Sequence, residues 1–98
     1  MKIEFADSQL ARICTDEAHK LGLPIAVISA ARKKLFALEQ APDERTLRNF
    51  KSFNYKKLQG TKDGRRSIRV NDQYRIIFTL DNSTVPPTVR VLDIGDTH

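Results

Sequence analysis

Arg69 and Arg75 flank the segment Asn71-Asp72-Gln73, and their spacing is where chemistry could first reside in this chain. If those three residues form a turn, Val70 lies opposite Tyr74, Ile68 opposite Ile76, and Arg69 opposite Arg75 on the other face. Two like charges directly opposed repel, so the pairing makes best sense when an anion neutralises them. A guanidinium grips phosphate oxygens with two parallel hydrogen bonds. A sheet face carrying paired arginines therefore suits the phosphates of a polynucleotide.

RNA brings its own nucleophile, the 2'-hydroxyl, so a small protein can cleave it by holding that oxygen in line with the adjacent phosphorus. Three tasks remain: a base for the proton, cations for the crowded phosphate, and an acid for the departing 5'-oxygen. Arg75 is the candidate for phosphate stabilisation, because it stays charged, makes two directed bonds and stands on a strand. Arg69 would hold the same or the neighbouring phosphate. Lys56 and Lys57 border this face; one of them could bind the backbone or, with its pKa lowered by nearby cations, exchange a proton. Lys62, Arg65 and Arg66 are expected to track the RNA on either side of the scissile bond. Tyr74 faces the core, which leaves Tyr55 as the freer ring for stacking a base. Asp96 and His98, two positions apart, can form a proton-transfer or orienting pair, and imidazole is poised near neutral pH. They sit at a chain end, a poor place for groups that need positioning to about half an ångström. Asp93 is better anchored and could also cap the sheet or pair with an arginine. Set against all of this is the plain alternative of surface cations that keep a small protein soluble.

Other chemistries lack their residues. His19 has no histidine four positions away, His98 is terminal, and a single cysteine cannot build a zinc cluster, so no metal or cofactor is expected. Gly60 and Gly64 read as turns, not as a phosphate-cradling loop. The charge is uneven: Met1 to Leu47 carries seven basic and seven acidic residues, Arg48 to Arg75 nine against two, and the rest one against three. A basic middle favours a nucleic acid or an acidic protein over a neutral metabolite. Cys14 alone excludes an internal disulfide and fits a reducing compartment; beside Ile13 on a helix it is expected to be a core thiol. The sequence has no apolar run long enough to span a bilayer and no secretory-type leader, so a cytoplasmic protein without membrane association is expected.

The elements that must position these groups follow from the pattern. With 98 residues, 40% of them hydrophobic and 30% charged, residues 1–98 are expected to form a single domain that buries roughly 60 to 65% of its unfolded surface. Lys2 to Phe5 alternates like a strand, and Asp7 or Ser8 can cap a helix carrying Leu10, Ile13, Cys14, Ala18 and Leu21, stopped by Gly22. Pro24 opens a second helix with the stripe Ile28, Ala31, Leu35, Leu38, while Arg32, Lys33 and Lys34 lie on its flank and outer side. Pro42 ends it. Asp43 to Phe50 is a helical turn or ordered loop, and Tyr55 to Leu58 a strand. The hairpin follows, with Tyr74, Ile76, Phe78 and Leu80 on one side. After a loop at Asp81 to Pro87, the last strand places Val89, Val91 and Asp93 on one side and Arg90, Leu92 and Ile94 on the other. The expected class is α+β: two N-terminal helices packed on a small, curved, mainly antiparallel sheet.

The run Lys57-Leu58-Gln59-Gly60 followed by Ser67-Ile68-Arg69-Val70-Asn71-Asp72-Gln73-Tyr74-Arg75-Ile76-Ile77-Phe78 strongly resembles the HigB-like toxins of the RelE/ParE superfamily. The likeness covers essentially the whole chain, and Lys57 to Phe78 is its specific part. It implies a RelE-like fold and cleavage of messenger RNA during translation, in the ribosomal decoding site. It also implies neutralisation by a helix-turn-helix, HigA-like antitoxin, through which the pair contacts operator DNA. Arg75 matches the family's strand arginine. Lys56 stands where some members have a histidine, so that proton-transfer group is absent. Members commonly end in Asp-Tyr-His: aligned from the tail, Asp96 and His98 match and Thr97 replaces the tyrosine; aligned from the last strand, only Asp93 matches. Each misplaced group can cost about 10²-fold, so the resemblance with these departures implies a mild, metal-independent, ribosome-dependent endoribonuclease. Competing readings are a relative that poisons DNA gyrase, a noncatalytic RNA-binding or regulatory module, and a pure protein-interaction domain.

Overall fold

Period-two alternation produces the central hairpin in the expected register. β3 (Arg66–Arg69) pairs antiparallel with β4 (Tyr74–Asp81), with Ile68 opposite Ile76 and Arg69 opposite Arg75. The turn is closed by Val70 N–H donating to the Tyr74 carbonyl at 2.9 Å, and by Asn71 Oδ1 accepting from the amides of Gln73 and Tyr74 at 2.9 and 2.8 Å. An asparagine side chain that mimics a backbone turn in this way holds the hairpin at this length. The computed structural model describes residues 1–60 and 64–96. Around the hairpin stand β1 (Lys2–Phe5), β2 (Lys56–Lys57) and β5 (Thr88–Asp96), in the sheet order β1-β5-β4-β3-β2. β1 runs parallel to β5 and the other pairs are antiparallel, giving the α+β architecture with one mixed sheet.

Two helices cover one face. α1 (Ile25–Gln40) begins at Pro24, after Gly22 in the left-handed region (φ 71°) has ended the preceding turn. It stops at Ala41, whose extended backbone is what the following Pro42 demands. α2 (Glu44–Asn49) is capped by Asp43, whose Oδ1 accepts from Thr46 N–H at 2.9 Å. Val27, Ile28, Ala31, Leu35 and Leu38 of α1 pack with Leu47 and Phe53 onto Ile68, Ile76, Phe78, Val89, Val91 and Ile94 of the sheet. Each of these larger side chains removes apolar area from water worth about 1.5–3 kcal/mol.

The expected first helix is instead two 3₁₀ segments, Leu10–Cys14 and Ala18–Leu21. Thr15 divides them. Its backbone is extended (φ −121°, ψ 172°), and its hydroxyl donates to the Arg12 carbonyl at 2.8 Å and accepts from Glu17 N–H at 3.1 Å. Side-chain competition of this kind replaces the bonds an α-helix would make. Arg32 of α1 then takes the carbonyls of Ile13 and Thr15, both at 2.5 Å. At three residues per turn Cys14 swings away from Ile13, so Ile13 is buried and Cys14 is exposed, contrary to the expected core thiol.

The last strand also departs from simple alternation. Phe78 pairs with Val91 but Ile77 with Asp93, so Leu92 is the extra residue of a bulge. Ile94 consequently joins Val89 and Val91 in the core, and Asp93 turns out.

Candidate nucleic-acid interface

Strand pairing sorts the functional candidates onto two sides of the sheet. Directly opposed residues share a face, so Lys56, which pairs with Ser67, stands with Arg69, Arg75 and Ile77 on the face that the helices leave open. These residues, with Asn54, Leu58, Asn71 and Asp72, line an open cleft of about 580 Å³. Leu58 and Ile77 supply apolar floor beside the cations.

Arg75 is held from two directions. Its Nε–H donates to Ser67 Oγ at 2.9 Å and its Nη2 to the Asn54 carbonyl at 2.6 Å. Asn54 presents that carbonyl from the left-handed region (φ 44°), a conformation asparagine tolerates well. Among the described residues the other guanidinium donors have no partner, and they can meet an anion. Burial, and then the charge of Arg69, lower the pKa of Arg75; the group remains a cation, in a setting that disfavours uncompensated positive charge. Arg69 is ion-paired with Asp72 of the turn. Its field reaches Lys34 of α1, whose pKa is lowered by burial and by Arg69. Lys34 Nζ donates to the carbonyl and hydroxyl of Ser52 at 3.0 and 3.1 Å, bracing the segment that leads to Asn54.

Two expected RNA contacts lie elsewhere. Arg66 pairs across from Phe78, on the helix-covered side, where its Nε donates to Glu44 Oε2 at 2.7 Å and its Nη1 to the Gly64 carbonyl at 2.6 Å. The Tyr55 hydroxyl donates to the same carboxylate oxygen, and its ring packs against Phe78 with centroids 6.4 Å apart. Neither lines the cleft. Burial raises the Glu44 pKa, but the hydrogen bonds from Tyr55 and Arg66, with the Arg66 charge, outweigh it and hold the carboxyl below its ordinary value. Burial and the bond to Glu44 push the Tyr55 phenol up to about 12. This is a structural brace between α2 and the sheet. Lys57, opposite Arg66, falls on that side too, and Arg65 is exposed beside it.

The bulge also separates the carboxylates. Asp93 shares the open face with Gly95, which pairs with Arg75; a Cβ at Gly95 would lie 3.2 Å from Asp93 Oδ2, so the glycine leaves room for that carboxylate. Asp96 pairs with Tyr74 and belongs to the opposite side. Lys62 and His98 lie outside the described residues. Among those described, no group of three His, Cys, Asp or Glu side chains could hold a metal ion, and no helix is long and apolar enough to cross a membrane.

Ser67, Asn54 and Lys34 were not among the expected site residues. Ser67 could have been found, since it sits two positions before Arg69 on the same strand face. Asn54 and Lys34 act through tertiary contacts that local pattern does not carry.

The comparisons with known proteins agree with this architecture. Residues 3–93 match the model of a protein family described as the RelE-like toxin of the type II toxin-antitoxin system HigB. Toxin HigB-1 of Vibrio cholerae serotype O1 is 36% identical over 78 residues, which cover 80% of this chain and 82% of that protein. The YoeB/ParE toxin from Agrobacterium tumefaciens shares the fold over 100% of both chains, with a TM-score of 0.61 at 11% identity. Family match, curated relative and sheet architecture converge: this chain belongs to the HigB-like toxins of the RelE/ParE superfamily, a family of type II toxin-antitoxin systems.

Proposed function

We propose that this chain is an endoribonuclease that inhibits translation by cutting messenger RNA on the ribosome, without a metal cofactor, and that a cognate antitoxin restrains it. The observation that carries the reading is the pair Arg69 and Arg75, opposed in register and lining one open cleft. The 2'-oxygen attacks phosphorus, the bond to the 5'-oxygen breaks, and a 2',3'-cyclic phosphate and a 5'-hydroxyl result. Arg75, aimed by Ser67 and Asn54, stabilises the charge gathering on the phosphate oxygens. Arg69 exchanges Asp72 for the same or an adjacent phosphate. Lys56 supplies a third cation. Leu58 and Ile77 offer a surface for a sugar or base edge. Asp93, on the Arg75 face, is better placed than Asp96 to take the 2'-proton. His98, outside the described residues, keeps its expected role in proton transfer.

A second reading is favoured by one feature: no imidazole lines the cleft among the described residues. It treats the chain as an RNA-binding module that occupies its target without cutting. Inducible expression of wild type and Arg75→Ala, with growth, translation and transcript 5' ends followed together, separates the two. Nuclease action predicts new 5' ends in translated messages with wild type only. Arrested translation with intact transcripts favours the binding module, and intact transcripts with blocked replication would favour a gyrase poison.

A further inference from the structure

The open face of the sheet continues past the arginine cleft. Ile77 lines that cleft, and Thr79, the next residue of β4 on the same face, opens a second hollow of about 480 Å³ bordered by Glu4, Asp81, Arg90 and Leu92. Strand pairing sets three of its polar side chains in one row: Glu4 of β1 lies opposite Arg90 of β5, and Arg90 opposite Thr79. The bulge residue Leu92 adds an apolar wall. Arg75 and Thr79 are four residues apart on one strand, roughly 13 Å, so a single bound strand of RNA can reach both hollows.

The two hollows differ in charge. Lys56, Arg69 and Arg75 stand against the single carboxylate of Asp72 in the first, whereas the second has one guanidinium and two carboxylates, Glu4 and Asp81. That balance disfavours a phosphate. Asp81 Oδ1 already accepts from the amide and the hydroxyl of Ser83, at 2.9 and 2.6 Å. Glu4 is paired with Lys2 at 3.6 Å between two exposed side chains, a contact that costs little to give up. Among the described residues the Arg90 guanidinium has no partner.

A carboxylate beside a guanidinium suits a neutral group that carries donors next to acceptors. Guanine has both: N1–H and the 2-amino group offer two adjacent donors to a carboxylate, while O6 and N7 offer two acceptors to an arginine fork. The other three bases lack the pair of adjacent donors. We propose that the second hollow is a base subsite for a guanine of the RNA strand whose phosphate meets Arg75, with Glu4 accepting from N1–H and the 2-amino group and Arg90 donating to O6 and N7. The inference rests on the proposed RNA chemistry of the cleft for the strand, and on the hollow for the base. It makes this end of the sheet a determinant of which sequences are bound, apart from the groups that act on the phosphate.

Fluorescence anisotropy of the purified chain with 2'-O-methyl RNA hexamers reads the subsite apart from catalysis, because these strands have no free 2'-hydroxyl and cannot be cut. In a uridine background, one guanosine should tighten binding at least about fivefold over one adenosine or one inosine, which is guanosine without its 2-amino group. Glu4→Gln and Arg90→Gln should each abolish that preference, with melting temperatures within about 2 °C of wild type because both side chains are exposed. Arg90→Lys keeps the charge but loses the fork, and should abolish it too. Equal binding of the three hexamers by wild type would overturn the subsite, and so would a guanosine preference that survives in Glu4→Gln or Arg90→Lys. On programmed ribosomes, cut sites should carry guanine at one fixed offset with wild type and lose it with Arg90→Gln. No cut at all would refute the nuclease reading and leave the hexamer result standing.

Discussion

Arg66 and Arg69 bound the same four-residue strand, yet they live on opposite sides of it and have opposite fates. Arg66 is 15% exposed at its side chain and is spent on Glu44 and the Gly64 carbonyl. Arg69 is 45% exposed, faces Arg75, and is balanced by Asp72 on a turn. The difference is one of parity: an odd separation along a strand puts identical side chains on different faces. On the covered face a carboxylate and a phenol were assembled around the arginine, and the result is a brace. On the open face two guanidiniums are opposed in register and the exposed Asp72 carboxylate pairs with one of them, the arrangement from which we propose an anion site. Counting basic residues along the sequence treats these as equals; the strand face decides which of them are available.

That comparison can be broken experimentally. The largest expected effect is at Arg75: removing its guanidinium should lower the cleavage rate by about 10²- to 10³-fold, read as single-turnover cleavage on programmed ribosomes and scored per folded molecule, because Ser67 Oγ and the Asn54 carbonyl also lose their partner.

The brace should respond in stability. Glu44→Ala leaves Arg66 and the Tyr55 hydroxyl without their partner, and should cost about 2 kcal/mol, or roughly 10 °C in a domain of this size, by thermal melts. Its pH dependence has a definite sign. Glu44 is held below its ordinary 4.5, so the stability it adds is present above that value and is lost as pH falls through its lower native pKa. Tyr55 is raised from 10.0 to about 12, so its contribution is complete below pH 10 and disappears as pH rises through about 12. Glu44→Gln should flatten the acid limb of the melting curve relative to wild type.

Smaller effects are expected at Arg69 and its counter-ion. Arg69→Ala should reduce the slope of log K against log salt for single-stranded RNA by about 0.7, the loss of one phosphate contact. Asp72→Asn removes a carboxylate that competes with phosphate for Arg69 and should tighten RNA binding about two- to fivefold, the range of an exposed ion pair, by fluorescence anisotropy.

What was legible in the sequence follows the same division between local and distant causes. The hairpin register, the stripe on α1 and the stops at Gly22 and Pro42 depend on alternation, spacing and backbone restriction, all of which are written locally, and they appear where expected. The segment Leu10–Leu21 departs from its α-helical spacing because the Thr15 hydroxyl and Arg32, reaching from α1, take backbone groups that an α-helix would use. Ile94 and Asp93 exchanged faces because one bulge residue, Leu92, reverses all alternation beyond it. Arg66 and Tyr55 looked like RNA ligands until Glu44, 22 and 11 positions away, was brought between them. The opposed arginines could be foreseen; the carbonyl and hydroxyl that aim Arg75 belong partly to a segment whose position only the folded chain sets.

The central claim is that the open face of the sheet does the chemistry while the covered face holds the fold, and a paired measurement on Arg75→Ala and Arg66→Ala tests it most directly. Melting temperature and ribosome-dependent cleavage per folded molecule are measured for each, with the 2',3'-cyclic phosphate as the scored product. The expected result is crossed: Arg75→Ala loses cleavage even when the comparison is made per folded molecule, and Arg66→Ala melts several degrees lower and still cleaves. Cleavage surviving in Arg75→Ala, or vanishing from folded Arg66→Ala, would contradict it.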